Sequence, residues 1–221
     1  MKAMILAAGK GERMRPLTEL KPKPLLKVGD KPLMQYHVER LVAAGFRELV
    51  VNVSWLGEQI VEYFDHRDWG CEIRWSREEE PLETAGGIVQ ALPMLGEEPF
   101  AVINGDIWTD FPFERLFEVA LGTADAHLVL VDNPPQHPEG DFHLQAGQLD
   151  RSGSPRLTYS GIGVSSPRLF AGCQPGKLPL LPLLEAAIAR QALVGEHHPG
   201  RWEDVGTPER LAALDAQLAI L

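Results

Sequence analysis

The sequence predicts an α/β protein with a mostly parallel sheet, helices on both faces and a small antiparallel insertion. Short apolar runs alternate with helical patterns through the first half of the chain, which is typical of parallel strands joined by helices. The 221 residues are 44% hydrophobic and 24% charged, as in an ordinary globular protein. A chain of this length buries roughly 70% of its unfolded surface in one domain. We therefore expect a single domain over residues 1–221.

The first half of the chain contains five predicted strands and four predicted helices. The strands span residues 3–7, 49–53, 72–75, 100–104 and 127–131. The helices span residues 31–44, 56–66, 85–95 and 112–121. Asp30 is the expected N-cap of the first helix, and Gly45 ends it. The alternating order predicts right-handed crossovers.

The pattern changes after Asp132, where a loop rich in proline leads into shorter polar segments. Predicted strands at 142–149 and 157–164 would form the antiparallel insertion and one wall of a pocket. The chain then continues with a predicted helix at 180–190, a strand at 193–197 and an amphipathic helix at 208–221.

Composition excludes several classes of protein. A net charge of −10 and a pI near 5.2 argue against nucleic-acid binding, which needs a basic face. No apolar run approaches the ~20 residues that cross a bilayer, so no membrane segment is expected. Cys71 and Cys173 are too few for a disulfide framework and form no metal-spaced pair, which favours a reducing cytoplasm. The first eight residues resemble a short signal peptide, but we interpret them as a buried strand.

The segment from Leu6 to Pro24, LAAGKGERMRPLTELKPKP, is the strongest functional signal. Gly9 and Gly11 allow the backbone to approach an anion, and Arg13 and Lys23 can neutralise phosphate oxygens. The segment lacks the spacing of a Walker A loop and the third glycine of a dinucleotide-binding loop. Basic residues are concentrated here, and on charge alone an anion site and a solvated basic surface are equally supported. They are Lys10, Arg13, Arg15, Lys21, Lys23, Lys27 and Lys31.

Four segments resemble one family in the expected order. Gly9 to Thr18, followed by Lys21-Pro22-Lys23-Pro24-Leu25, looks like the N-terminal signature of the sugar-1-phosphate nucleotidylyltransferases. The others are ETAGG with its preceding Glu80-Pro81-Leu82, the strand end VINGD at 102–106, and GRWEDVGTPE at 200–209. The resemblance implies a Rossmann-like fold of the nucleotide-diphospho-sugar transferase type. It also implies transfer of a nucleoside monophosphate from an NTP to a sugar 1-phosphate, with release of pyrophosphate.

The resemblance also assigns roles to residues. Arg13 and Lys23 would be catalytic, and Asp106 and Asp204 would hold Mg²⁺, a hard cation that prefers oxygen ligands. The implied nucleotide-binding residues are Ala7, Gly9, Gly11, Glu12, Arg13, Lys23, Glu80, Glu83 and Gly105. The implied sugar-phosphate-binding residues are Asn104, Gly140 and Thr158.

The chain departs from the family pattern in two places. Glu83 stands where relatives commonly have glycine, and the downstream Glu-Lys-Pro that binds the sugar in many relatives is missing before Thr158. Some motifs also have structural explanations. Asp106 would otherwise cap a helix near Phe111, Thr84 would cap the helix that follows it, and Thr207 with Pro208 is a typical helix start.

Other functions remain open from sequence. The sugar could be mannose or glucose rather than another hexose derivative, and a catalytically silent nucleotide-sugar sensor would share the fold. A metal-dependent glycosyltransferase is disfavoured because the strand end reads Gly-Asp-Ile rather than Asp-x-Asp. His197 and His198 are interpreted as a solvated pair, and Trp108, Phe142 and Trp202 as core residues that could stack on a ligand. We expect no C-terminal β-helix domain, which is a common assembly surface in longer relatives, and the sequence is compatible with a monomer and with an oligomer.

Overall fold

The computed structural model describes residues 1–219 and contains a central sheet covered by helices. Within this range the strands are β1 (Ala3–Leu6), β2 (Lys27–Val28), β3 (Lys31–Pro32), β4 (Glu48–Val53), β5 (Glu72–Arg77), β6 (Phe100–Asn104), β7 (Ile107–Thr109), β8 (Ala126–Val131), β9 (Phe142–Gln145), β10 (Gln148–Asp150), β11 (Arg156–Ser165), β12 (Leu193–His198) and β13 (Trp202–Asp204). The α-helices are α1 (Leu33–Ala43), α2 (Gly57–Asp65), α3 (Glu83–Leu95), α4 (Leu181–Ala189) and α5 (Pro208–Leu218).

Nine strands form one sheet in the order β5-β4-β1-β6-β11-β8-β12-β10-β9. The four strands β5, β4, β1 and β6 are parallel to one another, and β8 is parallel to β12. Strand β11 lies between β6 and β8 and is antiparallel to both. The mostly parallel sheet confirms the predicted fold class.

Both faces of the sheet are covered, as predicted. Alternate residues of β1 point to opposite faces, so Ile5 packs in a cluster with α1 and α2 while Met4 packs in a second cluster with α3 and α4. Both side chains are fully buried. Strand β1 is therefore a central core strand, as interpreted from its apolar sequence.

The antiparallel part of the fold agrees with the prediction only in part. Residues 142–150 form the β9–β10 hairpin at the edge of the sheet, and β11 pairs antiparallel with β9 at Arg156 and Leu157. The rest of the predicted strand at 157–164 lies in the sheet interior as part of β11. It pairs with β6 from Phe100 to Ile103. The hydrophobic pattern of β11 is compatible with both positions, since periodicity indicates which residues are buried but not which strand is the neighbour.

Three helix predictions need correction. Helix α1 begins at Leu33, because Lys31 and Pro32 pair with β2, and Asp30 does not cap it. Residues Phe113–Glu118 form a 3₁₀ helix rather than the predicted α-helix at 112–121. Helix α3 begins at Glu83 with Leu82 at its N-cap position, so Thr84 lies inside the helix instead of capping it.

The C-terminal helix begins as predicted. The Thr207 hydroxyl accepts a hydrogen bond from the backbone N–H of Arg210, and Pro208 occupies the first position of α5. The helix ends at Leu218, and the predicted extension to residue 221 reaches beyond the described residues. None of the helices described between residues 1 and 219 is both long and apolar enough to cross a membrane.

Candidate functional site

Three neighbouring parallel strands end side by side beneath a cavity that contains most of the predicted site residues. Leu6 at the end of β1 is in register with Asn52 of β4 and Asn104 of β6. Ligands of open α/β sheets bind outside such carboxyl ends. A cavity of about 480 Å³ lies here, and ten of the predicted site residues line it, namely Ala7, Gly9, Gly11, Glu12, Arg13, Lys23, Glu83, Asn104, Gly105 and Asp106.

The glycine-rich loop after β1 turns sharply at Gly11. Its φ of +63° lies in the left-handed region, and a Cβ atom there would be 2.9 Å from Cγ2 of Thr18. The Gly11 carbonyl accepts hydrogen bonds from the Thr18 hydroxyl at 2.7 Å and the Met14 N–H at 2.8 Å. Residue 11 must therefore be glycine for the loop to fold back towards Lys23. Gly9 has an unhindered Cβ position among the described atoms.

Lys23 and Asp106 form an ion pair that joins two cavity-lining segments 83 residues apart in sequence. The Lys23 Nζ atom is 2.8 Å from Oδ2 of Asp106. Lys23 is only 8% exposed, whereas the Asp106 side chain is 41% exposed. Asp106 follows β6 and does not cap a helix, since Pro112 occupies the N-cap position of the 3₁₀ helix at Phe113–Glu118. The pair brings a cation and a carboxylate together at the junction of the glycine-rich loop and β6.

Gly105 allows these two segments to approach closely. Its N–H donates to the carbonyl of Leu6 at 2.8 Å, and a Cβ atom at this position would lie 2.6 Å from the same oxygen. Any side chain here would push the turn that carries Asp106 away from β1. The glycine thus fixes the position of Asp106 relative to the glycine-rich loop.

Asp204 lies on a two-stranded ribbon next to Asp106 but does not line the cavity itself. Strands β7 and β13 pair with Asp204 opposite Ile107, and the N–H of Val205 donates to the Asp106 carbonyl at 3.0 Å. Gly206 lines the cavity, and a Cβ atom on it would be 3.1 Å from both carboxylate oxygens of Asp204. The ribbon therefore places the two predicted metal-binding segments side by side.

The donor chemistry of Asp106 and Asp204 fits a hard divalent cation. Each carboxylate uses Oδ2 for an ion pair, with Lys23 and Arg210 respectively. Within residues 1–219, the Oδ1 atom of each has no hydrogen-bond partner. Carboxylate oxygens are the kind of ligand that Mg²⁺ prefers. The described residues contain no cluster of three or more His, Cys, Asp or Glu side chains suited to bind a metal.

A series of buried hydrogen bonds beneath the cavity was not identified from the sequence. Asn52 accepts from the Ala7 N–H at 2.8 Å and donates to Oε1 of Glu78 at 2.7 Å, while Oε2 of Glu78 accepts from the Leu82 N–H at 2.9 Å. Burial raises the pKa of Glu78. These hydrogen bonds connect the glycine-rich loop to residues 78–87. We call this segment the base loop, because its resemblance to the family implies contact with the nucleotide base. The only sequence signal was a single asparagine inside the apolar strand β4.

The base loop has an unusual backbone at Glu83. Glu83 has a φ of +63°, in the left-handed region that favours glycine. The family resemblance of this segment implies a glycine at the same position. Leu82 and Gly86 hydrogen-bond to the backbone of Leu178 at 3.0 and 3.1 Å. The loop thus keeps a conformation suited to glycine although it carries a glutamate.

Glu80 lies outside the cavity lining. Its Oε2 atom is 2.8 Å from Nζ of Lys177, and this ion pair lowers the pKa of Glu80. Both side chains are more than half exposed. Glu80 therefore attaches the base loop to the neighbouring segment instead of pointing into the cavity.

Gly140 and Thr158 lie apart from this cavity, Gly140 in a turn before β9 and Thr158 in β11. Gly140 has a φ of +63°, and the Thr158 hydroxyl donates to Oδ1 of Asn133 at 2.8 Å. Neither residue lines the main cavity, and no residue of the predicted insertion does so within the described chain. The predicted insertion is therefore not a wall of this cavity, and its residues 151–156 line a separate cavity of about 490 Å³.

The histidine and aromatic predictions have different outcomes. His198 is buried and contacts Asp110 at 2.8 Å, so the interpretation of a solvated pair is wrong for this residue, whereas the partly exposed His197 contacts Asp132. Phe142 is a buried core residue. The indole of Trp202 donates to the Ser160 carbonyl at 2.8 Å.

Comparison with known proteins agrees with this architecture. Residues 2–144 match the Nucleotidyl transferase family. An N-acetylmuramate alpha-1-phosphate uridylyltransferase from Neisseria meningitidis serogroup B is 48% identical, over 98% of this chain and 97% of that protein. A protein of the same name from Caulobacter vibrioides is 35% identical, over 98% and 96%.

A solved structure confirms the fold. The crystal structure of UDP-glucose pyrophosphorylase complexed with UDP-glucose superposes with a TM-score of 0.83 at 20% identity, covering 99% of this chain and 98% of that one. The resemblance found in the sequence is thereby confirmed at the level of family and fold. The chain belongs to the nucleotidyl transferase family and is a nucleotidyltransferase.

Proposed function

We propose that the protein transfers UMP from UTP to N-acetylmuramate 1-phosphate, giving UDP-N-acetylmuramate and pyrophosphate. The observation that carries this proposal is the Lys23–Asp106 pair, which joins the glycine-rich loop to the end of β6 inside the main cavity. The choice of base and sugar is supported by the two uridylyltransferases that this chain resembles over nearly its full length.

The phosphate groups of UTP would bind along the glycine-rich loop. Backbone N–H groups of Gly9 and Gly11 would face the phosphates, beside Ala7 and Glu12, and the guanidinium of Arg13 and the ammonium of Lys23 would neutralise their charge. Lys23 is largely buried, so its charge acts through little intervening water. Arg13 and Lys23 are therefore the proposed catalytic residues.

The nucleophile needs no general base. The second pKa of a phosphate monoester is about 6, so most of the sugar phosphate is a dianion at neutral pH. One of its oxygens attacks the α-phosphorus of UTP in line, and the bond from this phosphorus to the bridging oxygen of the β-phosphate breaks. Pyrophosphate leaves with the electron pair, and no proton has to be removed from the attacking oxygen. The protein contributes position and positive charge.

Asp106 and Asp204 are the proposed ligands of Mg²⁺. When bound, this cation supplies further positive charge to the phosphate oxygens. The free Oδ1 atoms of the two carboxylates support the assignment. Lys23 would shift from Asp106 towards a phosphate oxygen as the substrates bind, because both partners of the pair line the same cavity.

The remaining predicted residues surround the two ends of the substrates. We propose that Glu83 and Gly105 contact the nucleotide and that Asn104 contacts the sugar phosphate, since all three line the cavity. Glu80 would act on the nucleotide through the position of the base loop. Gly140, in the turn before β9, and Thr158, in β11, would contact the sugar.

Pyrophosphate release measured with Mg²⁺ and N-acetylmuramate 1-phosphate tests the proposal. We expect release with UTP and much less with GTP, dTTP or CTP. Release only when mannose 1-phosphate or glucose 1-phosphate replaces the amino sugar would retain the mechanism and overturn the substrate. Absence of release with every pair, from a folded protein that still binds UTP, would favour a nucleotide-sugar sensor.

Two substitutions test the site separately from the substrate. Asp106→Asn should abolish turnover, and Lys23→Met should reduce kcat at least ~10²-fold through loss of a charge contact in the transition state. Circular dichroism provides the control for folding. Undiminished activity of Asp106→Asn would overturn the metal assignment, and undiminished activity of Lys23→Met would remove Lys23 from the catalytic residues.

A further inference from the structure

Helix α5 has a cation in its first turn, where the helix dipole disfavours one. Arg210 is the third residue of the helix, after Pro208 and Glu209. The free N–H groups of a helix N-terminus carry partial positive charge, so acidic side chains are favoured there and basic ones are not. Local helix stability does not explain an arginine at this position.

The partner of Arg210 is Asp204. One guanidinium nitrogen, Nη1, donates to the backbone carbonyl of Asp204 at 3.1 Å and forms an ion pair with Oδ2 of the same residue. The side chains are 24% and 26% exposed, so water only partly screens the contact. A single nitrogen thus fixes both the backbone and the carboxylate of Asp204.

This contact determines which oxygen of the Asp204 carboxylate remains available to another ligand. Because Oδ2 is held by Arg210, Oδ1 is the oxygen left for another ligand. Gly206 provides the space beside it, since a Cβ atom there would lie 3.1 Å from either oxygen and 3.3 Å from Nη1 of Arg13. Arg210 and Arg13 therefore flank Asp204, and only Arg210 is in ion-pair contact with it.

We propose that Arg210 is a positioning residue that holds Asp204 with one carboxylate oxygen available to a divalent cation. The inference rests on the proposed function, in which Asp204 is a metal ligand. Hydrogen-bond partners that orient metal ligands typically change metal affinity 10–100-fold when removed. Arginine suits this role better than lysine, because its planar group has several donors in fixed directions.

Mn²⁺ binding provides a readout that does not depend on turnover. Free Mn²⁺ is measured by electron paramagnetic resonance in the presence of a UTP analogue with a methylene group between the α- and β-phosphates. We expect Arg210→Met to bind Mn²⁺ about 10–100-fold more weakly than the unmodified protein. Arg210→Gln, which keeps an N–H donor, should recover part of the affinity.

Arg201→Met is the matched control. The Arg201 guanidinium lies 4.9 Å from the centre of the Trp108 ring. It donates to Gln217 of α5, the helix that also carries Arg210, at 2.9 Å and forms no ion pair with Asp106 or Asp204 among the described residues. Its removal also deletes an arginine contact to α5, but it should leave Mn²⁺ affinity unchanged. Any general destabilisation of α5 would therefore lower the Mn²⁺ affinity of both variants.

Kinetics separate positioning from a purely structural role. Arg210→Met should raise the Mg²⁺ concentration for half-maximal rate by the same factor as the loss of Mn²⁺ affinity, with kcat largely recovered at saturating Mg²⁺. Unchanged Mn²⁺ affinity in both Arg210→Met and Arg210→Gln would overturn the inference. If Asp204→Asn also binds Mn²⁺ normally, the metal assignment fails as well, whereas a defect in Asp204→Asn alone removes only the role of Arg210.

Discussion

At the scale of single residues, the site depends on backbone positions that tolerate few side chains. Gly11 and Gly105 are packed against neighbouring atoms that leave no room for Cβ. Glu83 is the exception, because it keeps a left-handed conformation while carrying a side chain. Such strain costs roughly 1–2 kcal/mol per residue and often occurs at ligand-binding loops. A role for the Glu83 side chain at the cavity would explain why the strain is retained.

Replacing Glu83 with glycine should therefore stabilise the protein and alter nucleotide binding. We expect the free energy of unfolding in urea to rise by up to about 1 kcal/mol, since the relief of strain is partly offset by the flexibility of glycine. The KM for UTP should change at the same time. Gln191→Gly is the matched control, because Gln191 also has a positive φ, of 56°, and is not among the cavity-lining residues.

The two variants should gain similar stability, and only Glu83→Gly should change the KM. An equal KM for UTP in both would mean that the Glu83 side chain has no part in nucleotide binding. Glu83→Ala keeps the positive φ without the carboxylate, so it separates the effect of the backbone from that of the charge.

At the scale of secondary-structure elements, a histidine of α1 holds the ribbon of β7 and β13 in place. The ring nitrogen Nε2 of His37, on α1, hydrogen-bonds to the carbonyl of Ile107 at 2.8 Å. His37 is 2% exposed, and burial lowers its pKa to about 4. The neutral ring therefore supports the strand that follows Asp106.

Acidification should lower the free energy of unfolding because His37 is buried in its neutral form. Between pH 6.5 and about 4 the unfolded chain binds a proton that the folded protein excludes, so the stability falls as the pH falls. The free energy of unfolding should fall by about 3 kcal/mol more than that of a variant that lacks the His37 imidazole. Urea unfolding of the wild type and His37→Gln at several pH values measures the difference. Curves that stay parallel from pH 7 to pH 4 would contradict the assignment.

Individual helices and strands were predicted from the sequence better than the contacts between segments that are distant in sequence. The cap at Thr207 depends on residues within one turn, so it was predicted correctly. The place of β11 between β6 and β8 depends on contacts across the sheet, which periodicity does not encode. Asn52 and Glu78 were missed for the same reason, because each is one polar residue whose partner is distant in sequence. Arg13 and Lys23 line the cavity, and their motif pointed to both, although the roles that it implies stay predictions.

At the scale of the whole molecule, the cavity connects segments that are far apart along the chain. Its lining comes from the loop after β1, the ends of β4 and β6, the base loop and Gly206. Two of these connections, Lys23–Asp106 and Asn52–Glu78, already join separate segments through their side chains. A ligand that contacts all of them adds to the cost of separating the sheet from its loops, so binding and global unfolding should be strongly linked.

Nucleotide binding should therefore raise the thermal unfolding temperature of the entire protein in one cooperative step. With Mg²⁺ and UTP at about 100 times Kd, the expected stabilisation is about 2.7 kcal/mol, which corresponds to about 5–10 °C for a protein of this size. Uridine lacks the phosphates that Arg13 and Lys23 would contact, so at equal concentration it should shift the temperature far less. Lys23→Met should lose most of the shift with UTP while keeping a cooperative transition. A shift with uridine as large as that with UTP would mean that the glycine-rich loop does not bind the triphosphate.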